Sequence, residues 1–265
     1  MKKNSLHKEF SVLKQCLNSS GKLIRKYIGK AGYELKGKAN LVTKADIAVQ
    51  KAVLDILRKN FPEHNLLAEE NGVKENGSSF TWVLDPIDGT TNFAHGFPQC
   101  STSLALFYKN EPVLGGVYNP ITDEMFLARK GKGATLNGKK IHVSKVQKLE
   151  NSLLVTGFPY DRFERMEKLI ARFSVLLNSC HDVRRLGSAA LDLCWLAAGR
   201  LDGYWEDGLN PWDVAAGVLI LQEAGGKVSD FTGKKYTRIP QYGKTILASN
   251  GKIHKSMASI LKPYL

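Results

Sequence analysis

The sequence predicts a layered α/β protein whose helices and sheets stack as an α-β-α-β-α sandwich. Two observations predict this fold class. The first half reads as helices followed by a mostly antiparallel sheet, and from Leu153 onward strand-like and helix-like segments alternate as in an α/β unit. The change falls near residues 145–151, so we expect an N-terminal α+β lobe at 1–147 and a C-terminal α/β lobe at 148–265. With 265 residues and 43% hydrophobic content, the chain is large enough for a substantial core.

The first half opens with two predicted helices, at residues 5–29 and about 46–60. Apolar residues recur in both at the spacing of one helix face. In the first helix these are Leu6, Phe10, Leu13, Leu17, Ile24 and Ile28. Short apolar runs then predict strands at 81–85, 101–108, 112–119 and 125–128, and Asn137-Gly138 predicts a hairpin turn.

The second half contains four predicted helices, near 161–178, 188–199, 211–224 and 250–262. The start of the third is the clearest, because Asn210 and Pro211 precede an apolar run. Strands between these helices would complete a second sheet.

Two carboxylates follow the apolar strand at 81–85, in the order Asp85-Pro86-Ile87-Asp88-Gly89-Thr90-Thr91-Asn92. Asp85 and Asp88 are three positions apart and Pro86 stiffens the link, so a turned backbone would bring both side chains and the Ile87 carbonyl to one point. Hard oxygen ligands of this kind suit Mg²⁺ or Mn²⁺. The alternative is a surface turn, for which Asp, Pro and Gly are the usual residues.

Two other acidic positions support a site. Glu69 and Glu70 follow an apolar run and precede a glycine, as Asp85 and Asp88 do, although a strand end with solvated charges has the same pattern. Asp213 lies just after the predicted helix start at Asn210-Pro211. Its alternative role is that of a first-turn residue stabilised by the helix dipole.

These motifs, in this order, closely resemble the inositol monophosphatase family of Mg²⁺-dependent, lithium-sensitive phosphatases. The resemblance rests on Asp85–Asn92 and on Trp212-Asp213-Val214-Ala215-Ala216-Gly217, and it spans nearly the whole chain. It continues at five other places: Asn40–Asp46, Ala68-Glu69-Glu70, Gly131–Gly138, Leu186–Ala190 and Glu206.

The resemblance implies a set of metal and catalytic residues. Two or three Mg²⁺ ions, with Mn²⁺ as a possible substitute, would be held by Glu69, Asp85, the Ile87 carbonyl, Asp88 and Asp213. The phosphate would lie against the backbone N–H groups of Gly89 and Thr90, and a metal-activated water would attack it. Glu69 and the Thr90 hydroxyl, held by Asp46, would handle the proton. Asp46 also fits a capping box with Thr43, and the two roles are compatible.

The resemblance implies a small phosphorylated polyol as substrate, with hydrolysis of inositol 1-phosphate to inositol and phosphate. Gly187, Ser188, Ala189 and Glu206 would contact the alcohol part. The chain departs from relatives at Asn210, where others carry a histidine, and in the Phe158-Pro159-Tyr160 loop, so the identity of the alcohol is open. The sequence also leaves open which of Lys36 and Lys38 approaches the site.

Four other functions are compatible with parts of the sequence. A fructose-1,6-bisphosphatase or a 3′-phosphoadenosine phosphatase of the same superfamily would share the metal residues. A haloacid dehalogenase is disfavoured, because its two carboxylates are separated by one residue and here two intervene. A protein that binds RNA or the transcription machinery, with secondary catalysis, is possible but not favoured.

The net charge of +13 is unevenly distributed. Residues 1–38 hold ten Lys or Arg and two acidic residues, and residues 230–265 hold seven and one, so both ends are basic. Basic ends can attract nucleic acid, but no aromatic-interleaved basic motif accompanies them, which favours solvated lysines.

Composition and cysteine spacing suggest where the protein acts. No stretch approaches the ~18 apolar residues of a membrane helix, and the amino terminus has no signal-peptide pattern, so we expect a cytoplasmic protein without membrane spans. The four cysteines, Cys16, Cys100, Cys180 and Cys194, are too widely spaced for a zinc motif and are expected to be reduced. A homodimer is implied by the resemblance alone.

Overall fold

The computed structural model of the chain describes residues 6–30, 32–35, 41–70 and 72–265. Lys36, Lys38, Asn40 and Asn71 lie outside the described residues, so the choice between the two lysines stays open. The helices of the described ranges are α1 His7–Tyr27, α2 Lys44–Asn60, α3 Thr90–Ala94, α4 Arg162–Leu177, α5 Ala189–Ala197, α6 Pro211–Glu223 and α7 His254–Leu261.

The strands form two large mixed sheets and a small hairpin. Those of the first half are β1 Tyr33–Leu35, β2 Leu41–Thr43, β3 Asn65–Ala68, β4 Gly72–Lys74, β5 Phe80–Asp88, β6 Ser101–Tyr108, β7 Glu111–Asn119, β8 Glu124–Arg129, β9 Gly133–Leu136 and β10 Lys139–Lys140. Those of the second half are β11 Leu153–Thr156, β12 Asp182–Arg184, β13 Gly203–Asp207, β14 Lys227–Ser229 and β15 Thr245–Ser249.

The larger sheet has eight strands in the order β10-β9-β8-β7-β6-β5-β3-β4, and the smaller has five in the order β12-β11-β13-β15-β14. In the larger sheet, β3 and β5 run parallel and the other neighbouring pairs are antiparallel. In the smaller sheet, β11 is parallel to β12 and to β13, while β15 is antiparallel to both of its neighbours. The predicted contrast between the two halves is therefore confirmed.

Helices and sheets alternate in five layers, as predicted. Helices α1 and α2 cover the outer face of the larger sheet, α5 and α6 lie between the two sheets, and α4 and α7 cover the outer face of the smaller one. Among the described residues, no helix is both long and apolar enough to cross a bilayer. The division into lobes at 1–147 and 148–265 stays a prediction.

The central layer explains why two helices of this chain lack a polar face. Every residue of α5 is buried, as is the stretch Val214–Leu221 of α6, because sheets cover these helices on both sides. The two helices also approach closely. A Cβ at Gly217 would lie 2.8 Å from the Cβ of Leu193, so only glycine fits this crossing.

Two predicted elements differ from the observed ones. The strand expected to end at Asp85 continues to Asp88 through a shift of register against β6, which is a β-bulge. The helix expected from residue 250 begins at His254. Asn250 instead lies in the loop before this helix and connects two segments. Its Oδ1 accepts the N–H of Lys252 at 3.0 Å, and its Nδ2 donates to the Val146 carbonyl at 2.8 Å.

One carboxylate connects the central layer to the turn between β8 and β9. Glu223, the last residue of α6, accepts three backbone N–H groups, from Gly131 at 2.7 Å, Lys132 at 3.1 Å and Gly133 at 2.8 Å. Three converging amides form a concave anion site, and here a side chain of the same chain fills it. Glu223 therefore holds a turn of the larger sheet against a helix from the second half.

Replacing Glu223 with Ala should lower the free energy of unfolding by about 1–3 kcal/mol, because the three amides lose a charged acceptor while water reaches them in part. Urea denaturation measures the change. Gln222→Ala is the matched control, since Gln222 is exposed in the same turn of α6. Equal stability of the two variants would show that the contact contributes little.

Candidate active site

The predicted metal residues meet where β3 and β5 end side by side. Because these strands are parallel, Glu69, the residue after β3, lies beside Asp85 on β5, and its N–H donates to the Leu84 carbonyl at 3.3 Å. The bulge of β5 turns the backbone between Asp85 and Asp88. A strand that continued regularly would alternate its side chains between the two faces of the sheet, so the bulge is what re-aims the second carboxylate.

Asp213 reaches the same point from the central helix layer. It is the third residue of α6, and its Oδ2 accepts the N–H of Asn210 at 2.7 Å. Asp213 thus makes the helix-start contact and also lies in the acidic cluster. Carboxylate oxygens of Asp85, Asp88 and Asp213 all lie within 4.8 Å of one another.

A cavity of about 310 Å³ opens over these carboxylates. All the predicted site residues except Asp46 line it. They are Glu69, Asp85, Ile87, Asp88, Gly89, Thr90, Gly187, Ser188, Ala189, Glu206 and Asp213.

Burial and mutual repulsion disfavour negative charge in this cluster. Burial, followed by the charges of Glu69 and Asp88, raises the pKa of Asp85 well above its usual value. Burial, followed by the charge of Asp88, does the same to the pKa of Asp213. For Asp88, burial raises the pKa to about 6, and hydrogen bonds from Ser188 and Ala190 limit the rise.

The cluster has the properties of a cation site. Asp85 is 2% exposed, and its Oδ1 is buried without a hydrogen-bond partner. A buried polar atom without a partner is costly, whereas a hard divalent cation would satisfy it and neutralise the neighbouring carboxylates. All the clustered donors are oxygens, which suits Mg²⁺ or Mn²⁺ better than a soft metal.

Asp46 occupies both of its predicted roles. Its Oδ2 accepts from the Thr43 hydroxyl at 2.6 Å and from the Thr43 N–H at 2.8 Å, which completes a capping box at the start of α2. Its Oδ1 accepts from the Thr90 hydroxyl at 3.4 Å. That hydroxyl is also 2.9 Å from the Ile87 carbonyl, so Thr90 connects Asp46 to a predicted metal ligand.

Gly89 makes the sharp turn from β5 into α3. Its φ of +86° lies in the left-handed region that side chains disfavour. An added Cβ would lie 2.8 Å from the Gln99 carbonyl and 3.0 Å from the Gly187 carbonyl. Glycine at this position therefore satisfies both the backbone conformation and the close packing of two neighbouring loops.

Two donors at the start of α5 bind Asp88. The Asp88 carboxylate accepts from the Ser188 hydroxyl at 2.5 Å and from the Ala190 N–H at 2.8 Å. A helix start has unsatisfied N–H groups, and the carboxylate that lies nearest takes one of them. The contact of Gly187, Ser188 and Ala189 with the alcohol part of a substrate stays a prediction.

Glu206, on β13, lines the same cavity. It is 7% exposed, and its Oε2 accepts from the Tyr204 hydroxyl at 2.6 Å. Burial raises the pKa of Glu206 to about 7. A Cβ at Gly157 would lie 2.2 Å from the Glu206 oxygens, so the carboxylate fits only because residue 157 is a glycine.

Three further residues that line the cavity were not predicted from the sequence: Gly157, Arg185 and Asp192. No local sequence pattern indicates a functional role for Gly157 or Arg185. Asp192 could have been noticed in the sequence, because it is the one charged residue of an otherwise apolar helix, α5. A single acidic residue in a helix without a polar face is a candidate for a buried functional role.

Comparison with known proteins assigns the family. The sequence profile of the inositol monophosphatase family matches residues 6–264, and the chain belongs to that family. It is 46% identical over 228 residues to an inositol-1-monophosphatase of Synechocystis sp., covering 85% of this chain and 78% of that protein.

Two other relatives are informative. The chain is 45% identical over 200 residues to the Nus factor SuhB of Pasteurella multocida, covering 75% of each protein. The structure of an inositol monophosphatase from Anabaena (Nostoc) sp. superposes with a TM-score of 0.89 at 39% identity, covering 98% of this chain and 97% of that one. The resemblance found in the motifs and the predicted fold class are both confirmed.

Mg²⁺ should raise the melting temperature more at pH 8 than at pH 5.5, as measured by calorimetry. The pKa of Asp88 is raised to about 6 in the folded protein. A carboxyl with such a raised pKa stabilises the folded state fully at pH values below its pKa in the unfolded chain. That stabilisation is lost as pH rises through the folded-state pKa. Protons and Mg²⁺ thus compete for the same oxygens.

The control is Asp55→Asn, which removes an exposed carboxylate from α2 and should leave this pH dependence intact, whereas Asp88→Asn should reduce it. An Mg²⁺ effect of equal size at both pH values would contradict a carboxylate site.

Proposed function

We propose that this chain is a Mg²⁺-dependent phosphomonoesterase that hydrolyses inositol 1-phosphate to inositol and phosphate. The observation that carries the proposal is the convergence of Asp85, Asp88 and Asp213 within 4.8 Å, in a cavity that Glu206 also lines. The three aspartates suit cations that bind a phosphate, and Glu206 suits hydroxyl groups. The 46% identity to a protein named inositol-1-monophosphatase supports the same substrate.

In this proposal Glu69, Asp85, the Ile87 carbonyl, Asp88 and Asp213 hold two or three Mg²⁺ ions. When bound, these ions supply Lewis acidity to the phosphate and lower the pKa of a nucleophilic water. The backbone N–H groups of Gly89 and Thr90 orient the phosphate at the start of α3. Glu69 accepts the proton of the water, and the Thr90 hydroxyl, hydrogen-bonded to Asp46, assists.

The alcohol part of the substrate would lie toward Gly187, Ser188, Ala189 and Glu206. Glu206 is the principal acceptor in this proposal, since Tyr204 donates to its Oε2 and its Oε1 is a second acceptor of the same carboxylate. Ser188 and Ala189 would contribute mainly by shape, because the nearby amide of Ala190 donates to Asp88. Gly187 lines the cavity, and its backbone has a φ of +86°, in the left-handed region that glycine adopts most readily.

A second function is proposed from the names of relatives. Several proteins 41–45% identical to this chain are named Nus factor SuhB, and both ends of this chain are basic. We propose an association with the transcription machinery as the alternative, with catalysis as a separate activity. Lithium sensitivity, a homodimer and a cytoplasmic location are proposed from the family resemblance.

The direct test measures phosphate release from inositol 1-phosphate, fructose 1,6-bisphosphate and 3′-phosphoadenosine 5′-phosphate with and without Mg²⁺. We expect the highest kcat/KM for inositol 1-phosphate and no turnover after exhaustive chelation. A higher kcat/KM for either of the other two compounds would identify that compound as the better substrate. Turnover in chelator would contradict the proposed metal requirement.

Glu69→Gln and Glu70→Gln form a matched pair of neighbouring carboxylates. Glu69 lines the cavity, while the Glu70 N–H is bound by Gln50 at 3.1 Å and its side chain is not among those lining it. Glu69→Gln should lower kcat by about 10²–10⁴-fold, the range for losing a general base. Glu70→Gln should lower it by less than about tenfold, and equal losses would show that the assignment within the pair is wrong.

A further inference from the structure

One carboxyl oxygen of Asp192 is buried beside the predicted alcohol pocket without a hydrogen-bond partner. Asp192 is 1% exposed, lies in the first turn of α5 and lines the same cavity as the metal residues. Its Oδ1 has no hydrogen-bond partner. Buried polar atoms with a structural role are normally hydrogen-bonded, so this oxygen is available to something that enters the cavity.

The neighbours of Asp192 indicate what that would be. Among nearby charges, Glu206 has the largest effect on Asp192, followed by Asp88, and Arg185 acts in the opposite direction. Glu206 already accepts from the Tyr204 hydroxyl. The two carboxyls are therefore neighbours in the cavity lining, and Glu206 is engaged by Tyr204 whereas Oδ1 of Asp192 has no hydrogen-bond partner.

The chemistry of Asp192 differs from that of Glu206. Burial and the charge of Glu206 raise the pKa of Asp192 well above its usual value, which favours the protonated, neutral form of its carboxyl. A neutral carboxyl both donates and accepts a hydrogen bond. A hydroxyl group can engage it in either direction, whereas a second phosphate would meet Glu206 and Asp88 as like charges.

We propose that Asp192 is a specificity-determining residue that hydrogen-bonds a second hydroxyl of the alcohol, next to the one bound by Glu206. The substrate class is a phosphate monoester of a polyol with at least two free hydroxyls. This inference rests on the proposed phosphatase function and deepens it. It assigns to Asp192 no part in metal binding or in the attack on phosphorus.

The test compares Asp192→Leu, which has a similar size but no polar atoms, with Asp192→Asn, which keeps a donor and an acceptor. Steady-state kinetics with Mg²⁺ are measured on inositol 1-phosphate and on 4-nitrophenyl phosphate, which has no hydroxyl groups. For Asp192→Leu we expect kcat/KM on inositol 1-phosphate to fall about tenfold or more, chiefly through KM, as for a lost buried hydrogen bond. The value on 4-nitrophenyl phosphate should change less than about twofold, and Asp192→Asn should restore most of the loss.

A second readout separates recognition from folding. If Asp192 were structural, Asp192→Leu would lower the melting temperature of the substrate-free protein. We expect an unchanged or higher value, because the substitution removes a buried carboxyl without a partner from an apolar helix.

The possible outcomes are distinguishable. No turnover of either substrate by the wild-type protein would overturn the proposed function itself. If the wild-type protein is active but Asp192→Leu affects both substrates equally, or neither, the inference about Asp192 is wrong and the phosphatase proposal stands. Equal losses in Asp192→Leu and Asp192→Asn would likewise contradict it, since the conservative variant keeps the hydrogen-bonding capacity.

Discussion

Repulsion among the buried carboxylates of Asp85 and Asp88 and the half-buried carboxylate of Asp213 is the constraint on which the rest of the structure depends. Three acidic groups within 4.8 Å of one another in a buried setting are unfavourable unless something neutralises or hydrogen-bonds them. The surrounding structure supplies part of the compensation. Ser188 and the start of α5 bind Asp88, and the Asn210 N–H at the start of α6 binds Asp213. For Asp85 Oδ1 the protein supplies nothing.

The layered fold is what brings these compensating groups to one place. Helices α5 and α6 are buried between two sheets, and both start next to the end of β5. Their amino-terminal ends carry partial positive charge, which favours nearby carboxylates. The central layer therefore serves two purposes, because it forms the main apolar core and aims two helix starts at the acidic cluster. The contact of Glu223 with the turn at residues 131–133 fixes the other end of α6.

Much of this could be predicted from local sequence. The fold class followed from periodicity, and Asp85, Asp88 and Asp213 followed from short motifs whose spacing matches a known family. Asp46 illustrates a local pattern that was correct but incomplete, since Thr43 and Asp46 form a capping box and Asp46 also reaches Thr90, 44 residues away. The bond from Ser188 to Asp88 spans 100 residues, and no local pattern could reveal that this helix start binds Asp88.

Other features were beyond local reasoning for a physical reason. Gly157 matters only because the Glu206 carboxylate lies against it, and the bulge in β5 appears only when that strand is paired with β6. Asp192 is the one charged residue of α5, but its burial beside the cavity depends on the sheets that cover both sides of that helix. In each case the decisive contact is made by a segment distant in sequence, and its consequence is a buried polar group whose surroundings the chain cannot show by itself.

The most direct measurement is the anomalous diffraction of crystals grown with Mn²⁺, which takes the oxygen ligands that Mg²⁺ prefers. The account predicts at least one anomalous peak bound by oxygens of Asp85, Asp88 and Asp213, with Asp85 Oδ1 among the ligands. If the site bound no Mn²⁺ at saturating concentration and the three carboxyls stayed in place through hydrogen bonds among themselves, the cluster would be a structural acid network. The claim that a divalent cation completes this fold and its chemistry would then be wrong.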